Sequence, residues 1–227
     1  MPFDLHRQLQ QIYAGDDGQC EVRLNGLFVA DVFRHGVIFE IQTTQLSKIR
    51  KKIATLLETT PVVIVYPISI STTIVHLEGD DLHERDRRLS PKRGNILDVF
   101  GETVYFAQLL AHPNMALEIV LVDTEDIRIK GDPHAASRRR RRRRRKSEWT
   151  TINRRLTATH ERIRLDTPAD GLRLLPEQLS PEFTTTQLGH VADISRSRAQ
   201  EITYTLFHMG ALVRTKRNKE GWWYERR

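Results

Sequence analysis

Two carboxylates stand where a strand pattern calls for apolar residues. In GLFVADVF and GVIFEIQ, Asp31 and Glu40 are the acidic members of segments otherwise rich in Val, Ile, Leu and Phe, and burying a carboxylate without compensation is costly. Side chains alternate across a strand, so Glu40 and Gln42 share one face while Phe39 and Ile41 share the other. If Asp31 lies on the neighbouring strand, the hairpin between them brings its carboxylate beside that of Glu40. Two clustered carboxylates repel unless a cation separates them, and all-oxygen ligation favours a hard divalent ion such as magnesium, with manganese as a substitute. Taken alone, Glu-x-Gln equally describes the wet face of an ordinary strand.

The elements that must position this pair follow from periodicity. Leu5, Leu9, Ile12 and Tyr13 form an apolar stripe at helical spacing that ends in the turn-rich AGDDG. CEVRLN, GLFVADVF and GVIFEIQ then read as three antiparallel strands, separated by Asn25-Gly26 and His35-Gly36, which suit tight turns. From Leu46 the period becomes helical, with Leu46, Ile49, Ile53, Leu56 and Leu57 on one face and Lys48, Lys51 and Lys52 on the other; Pro61 stops that helix. VVIVYPI reads as a strand buried on both faces, residues 73–77 as another, 95–111 as a helix and 117–129 as a final strand. The expected order is α, β, β, β, α, β, β, α, β.

The chain of 227 residues carries a formal charge of +7, and the excess is local. Residues 1–137 hold 14 basic and 19 acidic residues, residues 147–227 hold 13 and 10, and RRRRRRRRK at 138–146 supplies the rest. An acidic block, a cationic hinge and a mildly basic block suggest two domains, 1–130 and 148–227, joined by a mobile arginine-rich linker at 131–147. A lone cysteine, Cys20, excludes an intramolecular disulfide framework and a multi-cysteine zinc site, which suits a reducing cytoplasm. No apolar run is long enough to span a bilayer, and the amino terminus does not read as a secretory signal.

Beyond the linker, EWTTINRRLTATHERIRL reads as a helix, and Thr167-Pro168 starts another. Thr184 with Gln187 and Ser197 with Gln200 have the spacing of capping boxes, each opening an amphipathic run, with Ser195 an alternative cap for the second. Two short helices joined by DISR, followed by ALVRTKR, a polar NKEG turn and WWYERR, make a helix-turn-helix with a hairpin wing. Trp222 and Trp223 point to opposite sides of a strand, which assigns at least one of them to the core.

Residues 1–130 resemble the PD-(D/E)XK nuclease superfamily, the restriction-endonuclease-like fold. The likeness runs through Asp31, Glu40-Ile41-Gln42, the helix at 46–58 and the strand at 62–68. FTTTQLGHVADISRSRAQEITYTLFHMGALVRTKRNKEGWWYERR resembles a winged-helix DNA-binding domain, and the combination is similar to uncharacterised prokaryotic proteins of this architecture. The implied fold class is α/β, a restriction-endonuclease-like mixed sheet flanked by helices, followed by a mainly helical winged-helix domain. The resemblance implies that Asp31, Glu40 and the Ile41 backbone carbonyl hold magnesium, that Glu21 is a candidate further ligand, and that Asp31, Glu40 and Gln42 form the catalytic set. Ala30 stands in the place of the family's proline and Gln42 in that of its usual lysine, so Lys48, Lys51 or Lys52 is expected to supply the missing positive charge.

Nucleic acid is then expected at Lys48, Lys51 and Lys52 and at the run Arg138, Arg139, Arg140, Arg141, Arg142, Arg143, Arg144 and Arg145, which suits counterion release without sequence reading. It is further expected at Arg196, Ser197, Arg198 and Gln200 at the start of the second helix, facing base edges, and at Arg214, Lys216, Arg217 and Lys219 on the wing. The resulting expectation is a cytoplasmic, DNA-binding, magnesium-dependent endonuclease in prokaryotic restriction, defence or DNA processing. RNA remains open as substrate, a homodimer as assembly, and a methyltransferase or helicase as partner. The rival class is a non-enzymatic DNA-binding regulator on a degenerate nuclease fold.

Overall fold

The computed structural model of the chain describes residues 4–24, 26–43, 46–79, 81–131, 149–219 and 221–227. Helix α1 (Leu5–Ala14) is capped by Asp4, whose carboxylate accepts the Arg7 N–H. Strands β1 (Gln19–Leu24), β2 (Phe28–Arg34) and β3 (Val37–Ile41) follow as an antiparallel meander. His35 and Gly36 both have positive φ, the requirement of the tight turn expected there. A 3₁₀ turn at Leu46–Ile49 leads into α2 (Arg50–Leu56), shorter than expected. The chain then returns as β4 (Val62–Glu78), parallel to β3.

The two strands expected at 62–68 and 73–77 are one, and Pro67 does not interrupt it. Strand β4 pairs with β3 only through Val62–Val65 and with β5 (His83–Leu89) only through Thr73–Glu78, both on the same side. Between them β4 has a strand neighbour only on its other side, β6 (Met115–Lys130), so Pro67 sits on a local edge, where a missing N–H costs little. The sequence pattern missed β5 because all seven residues of HERDRRL are exposed. The helix expected over 95–111 is instead a 3₁₀ turn (Ile96–Val99), the single turn α3 (Phe100–Thr103) and a second 3₁₀ turn (Leu109–Ala111).

The largest correction concerns EWTTINRRLTATHERIRL. It is not a helix but β7 (Trp149–Leu165), antiparallel to β6 from Leu117↔Leu165 to Lys130↔Trp149. It is the last strand of the sheet and its faces are half exposed, so no clean period survives. Its threonines and isoleucines suit a strand, and pairing with a sixteen-residue neighbour decides the state. The sheet order is therefore β1-β2-β3-β4-β6-β7, with β5 beside the far half of β4. Lys130 and Trp149 are paired partners, so the segment containing Arg138–Arg145 joins neighbouring strands of one sheet rather than two domains. That arginine run lies outside the described residues.

Two apolar clusters cover the faces. On one, α1 packs Leu5, Leu9 and Tyr13 against Val32, Ile41, Val63, Val65, Val120 and Val122. On the other, α2 packs Ile53, Leu56 and Leu57 against Ile38, Val62, Ile64, Leu117 and Ile119. The second cluster continues without a break into the carboxy-terminal unit. There α4 (Pro168–Leu172) starts at a Thr167 cap with Pro168 in its first turn, and α5 (Thr185–Val191) at the expected Thr184–Gln187 box. Helix α6 (Arg196–His208) is capped by Ser195, not by the Ser197–Gln200 pair. Strands β8 (Glu182–Thr184), β9 (Leu212–Asn218) and β10 (Gly221–Arg226) form a small sheet in the order β8-β10-β9. Phe183 and Tyr224 are its buried aromatics, while Trp222 is exposed and Trp223 half-buried, which corrects the expectation of a core tryptophan. No helix among the described residues is long and apolar enough to cross a membrane.

Candidate active site

The ladder between β2 and β3 runs from Arg34↔Val37 to Val32↔Phe39 and stops. The next residues along are Asp31 and Glu40. The Asp31 carboxylate accepts the Ile41 N–H at 2.8 Å, and the Asp31 N–H donates to Glu40 Oε1 at 3.4 Å. The two side chains stand in for the missing backbone ladder and satisfy amides that the parting strands leave without a carbonyl.

Each carboxylate is compensated from a different layer. From α1, His6 Nε2 lies 3.2 Å from Asp31 Oδ2, and Gln10 Nε2 donates to Oδ1 at 3.4 Å. From α2, on the opposite face, Lys52 Nζ donates to Glu40 Oε2 at 2.7 Å and also to the Val29 carbonyl. Glu40 is 3% exposed, and burial pushes its carboxyl up to about 7; Lys52 opposes this and Asp31 adds to it. The hydrogen bond to Asp31 raises the His6 imidazole above its usual value, against the effect of burial.

Lys52 thus carries positive charge to Glu40, which Gln42 cannot do, while Lys48 and Lys51 are exposed. Gln42 follows β3 directly and its N–H donates to the Val65 carbonyl at 2.9 Å. Glu21 is exposed with a positive φ of 55°. His6 and Gln10 were not singled out in the sequence. Their i, i+4 spacing beside the apolar stripe of α1 places both on one flank of that helix, a signal available only once α1 is known to cross β2.

A cleft of about 880 Å³ opens along the uncovered stretch of β4, lined among others by Thr43, Tyr66, Ser69, Lys92, Asp98, Glu102, Arg154 and Arg198. Thr43 and Arg154 also line a second cavity of about 350 Å³ that reaches His6. Buried Asp126 is gripped in the cleft by Arg154, at 2.6 and 3.1 Å.

The residues expected to meet nucleic acid divide. Arg196, Ser197 and Gln200 are exposed at the start of α6. Arg198 turns inward instead: Nη1 donates to Glu201 at 2.7 Å and to the Asp98 carbonyl at 3.3 Å, and Nη2 to Asp98 Oδ1 at 3.4 Å. On the hairpin, Arg214 stacks 4.1 Å from the Phe207 ring, Arg217 lies 5.6 Å from Trp222, Lys216 bonds Glu182 at 3.0 Å, and Lys219 is exposed at the turn.

A protein-family model described as a domain of unknown function, DUF8091, matches residues 3–166. The chain belongs to this family. The DUF8091 region ends where β7 ends, so it takes in the whole large sheet, both candidate carboxylates and the arginine run. An uncharacterised protein of Treponema pallidum (strain Nichols) is similar to it, 32% identical over 125 residues, 55% of this chain and 49% of that protein. The chain therefore spans about half the length of that curated relative. No solved structure matches.

The donor chemistry fits a hard divalent ion, with a condition. Two carboxylates and the Ile41 carbonyl are all-oxygen ligands. Among the described residues no group of three or more His, Cys, Asp or Glu is placed to hold a metal, so water must complete the shell. Lys52 occupies Glu40 and would have to leave it for an ion to bind there.

Proposed function

We propose that this chain is a DNA-binding, magnesium-dependent endonuclease of the restriction-endonuclease-like type, serving restriction, defence or DNA processing in a prokaryotic cytoplasm. The observation that carries the reading is the break in the β2–β3 ladder, where Asp31 and Glu40 engage each other's strands and Lys52 supplies the charge absent at Gln42. Asp31, Glu40 and the Ile41 carbonyl would hold the metal, which would supply Lewis acidity to the phosphate and lower the pKa of a coordinated water. His6 keeps Asp31 oriented through the contact of its Nε2 with Oδ2. Lys52, released from Glu40, remains near enough to offset charge developing on phosphate.

The order β8-α5-α6-β9-β10 supports a winged-helix reading of the carboxy-terminal unit, with Arg196, Ser197 and Gln200 toward base edges and the β9–β10 hairpin toward phosphate. A second reading, a DNA-binding regulator on a spent nuclease scaffold, draws on the same Lys52–Glu40 pair, which already neutralises the carboxylate without metal. Purified protein incubated with plasmid, duplex oligonucleotide and RNA in magnesium, manganese or chelator separates the two. Metal-dependent cleavage lost in Glu40→Gln supports the enzyme, and specific DNA binding with no cleavage under any metal supports the regulator.

A further inference from the structure

Helix α6 is tied to the candidate site through three consecutive contacts. Its Arg198 grips the segment that begins α3, through both the carbonyl and the carboxylate of Asp98. The fit there is close: a Cβ on Gly101 would come within 2.3 Å of Arg198 Nη1. One residue beyond Gly101, Glu102 Oε2 accepts the N–H of buried Leu46 at 3.0 Å, the first residue of the turn that feeds α2. Helix α2 in turn carries Lys52 to Glu40. Elsewhere the two units meet mainly through apolar packing, which tolerates sliding. These are directional bonds, each with at least one charged partner, and they fix a helix in rotation as well as position.

We propose that Glu102 is a positioning residue for Lys52, and that Arg198 sets Glu102, so that docking of α6 on α3 decides how firmly Lys52 is held at Glu40. A carboxy-terminal unit that moves on meeting DNA then alters the site through α3 and the turn at Leu46, without touching the carboxylates. Glu102 acts through Leu46 and Lys52 and touches no reacting atom. The catalytic consequence rests on the nuclease reading; the mechanical claim does not.

Native-state amide exchange of the full chain, without metal or nucleic acid, tests the mechanical claim directly. Glu102→Ala is expected to speed exchange at the Leu46 amide and through Arg50–Leu56 by roughly tenfold, the scale of one hydrogen bond to a charged group. Glu102→Gln, which keeps an acceptor oxygen, should restore near-native protection. Gly101→Ala is the sharper variant, since alanine favours a helix yet must displace the Arg198 guanidinium; like Arg198→Ala, it should speed exchange over the same residues by about threefold. A lowered unfolding midpoint with Leu46–Leu56 no faster than the rest of the large sheet overturns the proposal, as does unchanged exchange in Gly101→Ala. In single-turnover cleavage at saturating enzyme the same variants should lose rate. If the natural protein cleaves nothing, the nuclease reading fails and the exchange result still decides the coupling.

Discussion

Lys52 Nζ meets Glu40 Oε2 at 2.7 Å, approaching from the face of the sheet opposite to the one from which His6 meets Asp31. On the nuclease reading, Lys52 replaces in charge, though not in place, the lysine expected at position 42. A sheet residue at 42 would be fixed by the ladder, whereas Lys52 reaches along a flexible stem from a helix and can leave. Removing it strands a carboxylate that is 3% exposed. Lys52→Met should therefore destabilise the fold by about 3 kcal/mol at pH 8, the scale of an uncompensated buried charge, and by much less at pH 5, where Glu40 takes up a proton. Urea midpoints at the two pH values check this.

Glu40 itself gives a pH dependence of defined sign. Its folded carboxyl titrates near 7 against an ordinary value of 4.5. A raised folded pKa contributes stability that is full below 4.5 and lost as pH rises through about 7. The contribution is on the order of 3 kcal/mol, and stability of Glu40→Gln should fall less steeply across that window. Metal binding needs the carboxylate, so magnesium-dependent cleavage should rise through about pH 7 and vanish in Glu40→Gln, with DNA binding in chelator changed by less than about twofold.

The candidate pair was legible because a carboxylate in a Val and Ile run contradicts the strand it sits in. The same logic places Lys52 on the polar flank of its helix without indicating that it folds over onto Glu40. What was illegible is what depends on a neighbour. Strand β5 is exposed at every residue and exists only because β4 offers it an edge; β7 shows no period because much of both its faces is exposed. Reading β7 as a helix also made the arginine run a tether between domains, when the flanking residues Lys130 and Trp149 are paired in one sheet. Arg198 fits the pattern of a base-reading residue, and only the packing of α6 on α3 turns it inward.

Gln42→Lys tests whether the position of the charge matters or only its presence. In the natural background the new ammonium competes with Lys52 for Glu40, so the gain in single-turnover rate should be modest, about threefold or less. In a Lys52→Ala background, which should be nearly inactive, Gln42→Lys should recover at least about tenfold. No recovery, with both proteins folded, means that Lys52 is a structural partner of Glu40 and not the replacement for the missing lysine.

Lys130 and Trp149, which flank the segment containing the arginine run, lie at the end of the sheet far from the carboxylates. Leu117 faces Ile64, which faces Glu40, and from there β6 extends thirteen residues to Lys130. At about 3.3 Å per residue that is roughly 40 Å, about one turn of duplex. Removal of residues 138–146 leaves enough chain to close the β6–β7 hairpin, so the fold should persist. Binding to every sequence should weaken alike, and the slope of log affinity against log salt should flatten by about 0.9 for each phosphate that the arginines had neutralised. An unchanged slope means that these arginines do not meet nucleic acid.

Sequence discrimination should instead reside in the exposed start of α6. Arg196 and Gln200 have free access to solvent, and their side chains suit guanine and adenine edges. Arg196→Ala or Gln200→Ala should cost about 1–3 kcal/mol on a preferred site and little on random duplex. Arg198→Ala should behave differently. Its guanidinium is spent on Asp98 and Glu201, so its removal should leave the ratio of specific to random affinity intact and show as looser docking of α6. If Arg198→Ala erases discrimination while Arg196→Ala and Gln200→Ala do not, the unit must turn away from α3 when it binds, and the inward arrangement of Arg198 is its resting form. Competition titrations of the three variants against random duplex at fixed salt distinguish these outcomes, because phosphate binding cancels in the ratio and only base reading remains.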